Sequence, residues 1–347
     1  MAGTNTRAQP TASGRVAWVD YLRGLTIVVV AFIHSYDVAA SNLAQWLGWM
    51  DVFESVVRPI GMPIMVFLSG LFAGRVFSKG SWRAIKRAGV ALLYPYFVWS
   101  AVILILFFTA SITIGWTFSP RMFMEVFYSP LEHLWFLAYL FLCFVIGALL
   151  KRFDPALVSG VLLAAAVLVG GGTVSAFLGF VGFFILGRAA AERPLVWARL
   201  TQSRTVNIFL CSLSAAVFLA KGAGWIVADE TVGSTVGVGA AIVGVSGLAM
   251  RVPQGNVTRW LNYAGRNSLT IYLVHWPVLI FSSRIIWRLT DMDTVSLTLV
   301  SFAICLTVSL VIASLMVRVG VIRAFFVAPW IRPEAKRSVH LSVVLPR

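Results

Sequence analysis

Apolar stretches of about 18 residues or more recur from residue 16 almost to the C-terminus, and in a chain of 347 residues that pattern leaves one broad class of fold. Hydrocarbon offers no partner for a backbone N–H or C=O, so such stretches read as membrane-spanning helices whose hydrogen bonds close within each segment. The composition agrees: 59% of the residues are hydrophobic and 12% charged, against roughly 25% charged in an ordinary soluble domain. Runs between charged or turn-rich breaks predict ten spans, near 16–37, 54–74, 88–109, 133–150, 155–171, 174–190, 205–221, 231–250, 267–287 and 295–317. The fifth and sixth are short, with only the Gly170–Thr173 turn between them. The expected fold class is therefore all-α and integral to the membrane, about ten transmembrane helices in a single bundle.

The formal charge of +15 would suggest nucleic acid in a soluble protein; here the distribution of charge argues otherwise. With both termini cytoplasmic, Arg58, Arg121, Lys221, Arg284 and Arg288 fall on the outer side and Arg23 lies inside the first span, while every other Lys and Arg falls on the inner side. This is the asymmetry that orients membrane proteins. The charge thus reports topology and contact with membrane lipids, and no nucleic-acid partner is expected. Residues 1–15 read as a disordered cytoplasmic tail, 16–318 as the membrane domain and 319–347 as a basic cytoplasmic tail. The first apolar run carries Arg23 and lacks a small-residue cleavage site, so it reads as a retained helix rather than a signal peptide. Cys143, Cys211 and Cys305 lie in separate spans, which suggests neither a disulfide framework nor a zinc site; no metal is expected. Gly70/Gly74 and Gly233/Gly237 have the four-residue spacing of closely packed membrane helices. The two halves show no matching pair of broken helices of the kind transporters use.

Ionisable groups cost several kcal/mol inside a membrane, so each needs a partner or a task. The first span concentrates them, with Asp20, Arg23, His34 and Asp37 on one helix. Arg23 and His34 are eleven residues apart, which at 100° per residue returns them to one face, separated by a rise of about 16 Å. Asp20 stands three residues before Arg23 and could neutralise it as a buried packing pair. Asp37 stands three residues after His34 and could orient the imidazole, the arrangement a general base needs. His133 opens the fourth span beside Glu132 and close to Trp135. In the ninth span, Ser268, Tyr272 and His275 form a stripe on one face ahead of the potential kink at Pro277. For His275 a packing hydrogen bond between helices is an equal reading, and Trp135 and Trp276 suit interfacial or packing roles.

These segments together resemble the membrane acyltransferase 3 family. W-V-D-Y-L-R-G-L-T-I-V-V-V-A-F-I-H (18–34) carries the Arg and His separated by ten residues that mark the family's first helix, here Arg23 and His34. M-P-I-M-V-F-L-S-G (62–70), R-A-G-V-A-L-L-Y-P-Y-F-V-W (87–99), H-L-W-F-L (133–137) and S-L-T-I-Y-L-V-H-W-P (268–277) resemble the later motifs in order, whereas 155–265 is similar mainly in hydropathy. Within the family the chain is most similar to compact sugar O-acetyltransferases related to fucose 4-O-acetylases. The resemblance implies transfer of an acyl group, usually acetyl, from acyl-CoA on the cytoplasmic side to a hydroxyl of a glycan or glycolipid, with no bound cofactor. It further implies a catalytic role for His34 as base and for Arg23 in positioning the donor or stabilising developing charge. Asp37 as an orienting residue rests on spacing; Asp20, Glu132, His133, Trp135, Ser268, Tyr272 and His275 are candidate substrate-binding residues. The basic cluster Arg75, Lys79, Arg83, Lys86 and Arg87 could attract CoA phosphates, although topology alone would account for it. The expected location is the cytoplasmic membrane of a bacterium. The competing reading is a polytopic transporter or lipid flippase that uses Arg23 and His34 for substrate or proton coupling; a non-catalytic membrane scaffold is a third.

Overall fold

A computed structural model of the chain describes residues 16–114, 117–225 and 230–331, and these are helical with no strand among them. The expected tail 1–15 and residues 332–347 of the expected basic tail lie outside the described residues. In chain order the helices are α1 (Ala17–Leu43), α2 (Gly48–Gly70), α3 (Ala73–Phe77), α4 (Ser81–Ala88), α5 (Tyr94–Ile114), α6 (Met122–Tyr128), α7 (Trp135–Leu149) and α8 (Pro155–Val169). There follow α9 (Gly172–Glu192), α10 (Pro194–Thr201), α11 (Arg204–Gly222), α12 (Glu230–Ala249), α13 (Asn256–Arg266), α14 (Ser268–Leu289), α15 (Thr294–Leu315) and α16 (Gly320–Ala324).

Eight helices or helical runs among the described residues are long and apolar enough to cross a bilayer. The chain is a multi-pass integral membrane protein. The two remaining expected spans, 155–171 and 231–250, coincide with α8 and α12, whose apolar described parts are shorter than the eight. Of the two short neighbours flagged in the sequence, the sixth proves to be the long one, because α9 continues through Arg188 to Glu192. Arg188 is buried there and bonds Glu192 Oε1 at 2.7 Å and the Lys151 carbonyl at 2.8 Å, so its charge does not end the helix. The third span also starts earlier than its apolar run suggests. The amphipathic α4 leads through a π-helical turn, Gly89–Leu93, directly into α5.

Helix α1 lies at the centre, packed against α2, α12, α13, α14 and α15. Its tightest neighbour is α13, an amphipathic helix that the sequence reading leaves as a loop. The two backbones touch: a Cβ at Gly24 would lie 1.9 Å from the Leu261 carbonyl oxygen, and one at Gly265 1.7 Å from that of Asp20. Helices α2 and α9 cross in the same way at Gly70 and Gly187, where a Cβ would lie 1.9 Å from Phe184 O and 2.1 Å from Phe67 O respectively. Such contacts hold membrane helices together where apolar burial offers no drive, since lipid is as apolar as the side chains it replaces. Of the glycines flagged by spacing, Gly74 adjoins the Glu192 side chain and Gly237 the Phe218 ring. The three cysteines are unpaired thiols, Cys143 and Cys305 buried.

Gly265→Val places branched carbon where the Asp20 carbonyl stands, so α1 and α13 must separate. The expected result is a loss of about 1–3 kcal/mol or more, seen as a lowered Tm in nanodisc-embedded protein. Gly179→Ala is the control, because a Cβ there meets nothing within 4 Å, and its Tm is expected to stay unchanged.

Candidate functional site

The ionisable face of α1 opens onto two cavities. With the Arg23 end of α1 taken as inner, the inner cavity, of about 400 Å³, has Arg23, Ser69, Phe72, Arg87, Ser268 and Tyr272 in its wall. The outer one, of about 670 Å³, has His34, Arg58, Glu132, His133, Trp135 and Trp276 in its wall. Thr26, Met62 and Tyr272 line both, so the two adjoin across these side chains of α1, α2 and α14, the neck between them. Local irregularities shape both walls. Pro59 and Pro63 interrupt the hydrogen-bond ladder of α2 along the outer cavity, and the π turn between α4 and α5 brings Ala91 and Leu92 to the inner one.

His34 is held from several directions. Its Nδ1 lies 3.2 Å from Asp37 Oδ2, one turn along α1. The other oxygen of Asp37 accepts from Arg58 Nη2 at 2.7 Å, and the same nitrogen donates to Glu54 Oε2 at 2.5 Å. On its faces the imidazole stacks on His275, with centroids 5.5 Å apart and planes 29° apart, and meets the Trp276 ring edge-on at 5.1 Å. His275 is fully buried, and its Nδ1 donates to the Tyr272 carbonyl at 2.6 Å, with the Ile271 carbonyl at 3.2 Å. That bond fixes the tautomer with the hydrogen on Nδ1.

His133 continues the cluster. Its ring centroid is 5.1 Å from those of both His275 and Tyr272, and the Tyr272 hydroxyl donates to its backbone carbonyl. The preceding Glu132 has φ +49°, a left-handed conformation that costs a non-glycine residue about 1–2 kcal/mol. It begins the 3₁₀ turn Glu132–Leu134, which carries both side chains onto the outer cavity wall. Trp135 faces the same cavity and packs against Phe180 and Tyr139.

Arg23 occupies the inner cavity with its guanidinium 5.7 Å from the centre of the Phe72 ring, a cation–π contact. Asp20 acts on it electrostatically but stands outside both cavity walls. The stripe on α14 divides by depth: Ser268 lines the inner cavity, Tyr272 the neck, and His275 backs the His34 ring. Ser35, adjacent to His34, donates to the Ala31 carbonyl at 2.6 Å and is fully buried, so its hydroxyl is committed to the backbone.

The sequence reading missed Arg58, Glu54 and the contact of Trp276 with His34. Arg58 and Glu54 are spaced i,i+4 on α2, a pairing signal visible in the sequence, but their meeting with Asp37 depends on how α2 crosses α1. Trp276 reads from the sequence as a packing or interfacial residue, and only the approach of α14 to α1 brings its ring against His34. Among the described residues, no group of three His, Cys, Asp or Glu side chains is placed to hold a metal ion.

A family model described as an acyltransferase domain matches residues 16–318, which include every residue of the two cavities. No curated protein and no solved structure matches the chain. The match covers most of the sequence, and the chain belongs to this acyltransferase family, as a membrane-embedded enzyme.

Proposed function

We propose that the protein moves an acyl group from acyl-CoA to a hydroxyl of a cell-envelope or lipid-linked carbohydrate, in the manner of the fucose 4-O-acetylase-like members of its family. The observation that carries this reading is the pair of adjoining cavities that share Thr26, Met62 and Tyr272 in their walls, with Arg23 in one and His34 in the other. A cytoplasmic thioester and an outer hydroxyl need a continuous passage to meet, and these cavities follow one another along α2, from Ser69 and Phe72 in one to Val57 and Arg58 in the other, while overlapping along α1. Both termini are on the cytoplasmic side in this reading, with ten helices crossing. Arg87, on the inner cavity wall, then belongs to the cytoplasmic basic cluster and faces the donor's phosphates.

In the reaction, the acceptor hydroxyl gives its proton to Nε2 of His34 as its oxygen attacks the thioester carbonyl. The C–O bond forms, the C–S bond breaks, and the departing CoA thiolate recovers the proton from the imidazolium. Asp37 fits this cycle because it engages Nδ1, leaving Nε2 as the acceptor and stabilising the cation formed midway. Arg58 and Glu54 hold Asp37 in place. The rise of about 16 Å between Arg23 and His34 is too long for Arg23 to touch the carbonyl attacked at His34. It suits a cation that grips the donor at one end while an extended pantetheine arm passes the neck. Glu132, His133, Trp135 and Trp276 then surround the acceptor, the tryptophans offering flat apolar faces for a sugar ring.

Mass spectrometry of envelope glycans tests this in a deletion strain carrying wild type, His34→Ala or Arg23→Ala at matched membrane levels. An acyl increment with wild type alone is the expected result, with turnover lost by about 10²–10⁴-fold for His34→Ala. An increment that survives His34→Ala overturns the base assignment. A transported solute with no acylated product favours a carrier instead. Arg58→Ala is expected to lower kcat roughly tenfold with donor KM unchanged, because it loosens Asp37 without reaching the inner cavity; an increase in donor KM alone would contradict that role.

A further inference from the structure

The outer cavity is larger and more apolar than an acetyl group requires. Its polar wall residues gather around His34 and the neck, and the remainder of the wall is apolar, aromatic at Trp135 and Phe180 and aliphatic along α1. Leu22, Leu25, Val29 and Ile33 form one stripe of α1, beside rather than on the face of Arg23 and His34. Ile64 of α2 and Val245 of α12 also line this cavity and pack in one apolar cluster with Leu22. From Ile33 to Leu22 this stripe runs for about 16 Å along the helix, and no charged side chain enters it. Water in such a lobe would find no hydrogen-bond partners, and empty apolar space forfeits the dispersion contacts of its walls. A two-carbon acyl group would leave most of the lobe unfilled.

We infer that this aliphatic lobe receives the hydrocarbon tail of the acyl donor, so that the protein prefers acyl chains longer than acetyl. The inference rests on the acyltransferase reading above and deepens it. With CoA held from the inner cavity and the thioester carbonyl at His34, the tail has two ways to go. One leads into the polar group of Arg58, Glu132 and His133, where the acceptor hydroxyl must sit; the other leads down the aliphatic stripe toward Leu22 and Val245. The tail takes the second, doubling back beside α1 and leaving the polar end free. The lobe then sets the upper limit of chain length, with Val29 of α1 facing the middle of the tail and Val245 of α12 facing its end.

The test uses full-length protein in lipid nanodiscs and non-reactive thioethers, S-methyl-, S-butyl- and S-octyl-CoA, and so needs no acceptor. Affinity is expected to rise from methyl to octyl by about two- to fourfold for each methylene buried. Val29→Phe and Val245→Phe, on different helices, are each expected to collapse the octyl-to-methyl affinity ratio toward one. Val245→Ala is expected to preserve or widen it. S-methyl-CoA binding by each variant shows that it has folded. Equal affinities across the series in wild type would overturn the inference while leaving the donor assignment intact, and would give the lobe to the lipid tail of the acceptor. A ratio that rises in wild type and is unchanged in both Phe variants would mean partition into the bilayer, and overturns it equally. Absence of binding by all three thioethers would remove the CoA donor and the lobe together.

Discussion

An arginine and a histidine on one face of a central membrane helix impose the constraint that organises the molecule. Neither side chain can face lipid without a cost of several kcal/mol, so α1 must be enclosed and that face must open onto something other than hydrocarbon. The contact of Gly24 with α13 achieves part of this by locking α1 at backbone distance, which fixes its rotation as well as its depth. Arg23 and Thr26 then turn toward α2 and α14 rather than toward the bilayer. The cavities follow from the same geometry, because prolines in α2 and the π turn before α5 keep their helices from closing over that face.

The outer end is built on a chain of contacts rather than on one residue. Asp37 holds His34, Arg58 holds Asp37, and Glu54 shares the same guanidinium nitrogen. The buried His275 ring and the partly buried Trp276 ring on α14 fix the ring plane of His34, while the strained turn at Glu132 brings a second histidine against the first pair. An imidazole held on three sides reaches a bound hydroxyl with little reorganisation, which is the condition under which a weak base can work in a site of low polarity. The proposed division of labour places binding at Arg23 and chemistry at His34, with the neck between them.

Much of this was legible in the sequence because membrane helices obey simple rules. Ten apolar runs were visible, eight of them as full-length spans, and the shared face of Arg23 and His34 followed from rotation alone. The His34–Asp37 contact was foreseeable from a spacing of three. What was not legible depends on how helices cross. Arg58 looked like an ordinary outer arginine, because nothing local to α2 says that its guanidinium meets α1. The polar composition of α13 reads as a loop, although Leu261, Ala264 and Gly265 already trace a helical stripe. The start of the third span was hidden by Arg83, Lys86 and Arg87, which ride on a continuous helical run instead of breaking it.

The central claim is that donor and acceptor meet through the neck from opposite sides of the membrane, and sidedness tests it most directly. Sealed inverted and sealed right-side-out vesicles from a strain that carries the natural acceptor would be given labelled acyl-CoA externally, and label on the glycan measured. The account predicts labelling in inverted vesicles only, lost when Met62→Trp fills the neck. Equal labelling in intact right-side-out vesicles, or full labelling with the neck filled, would contradict it.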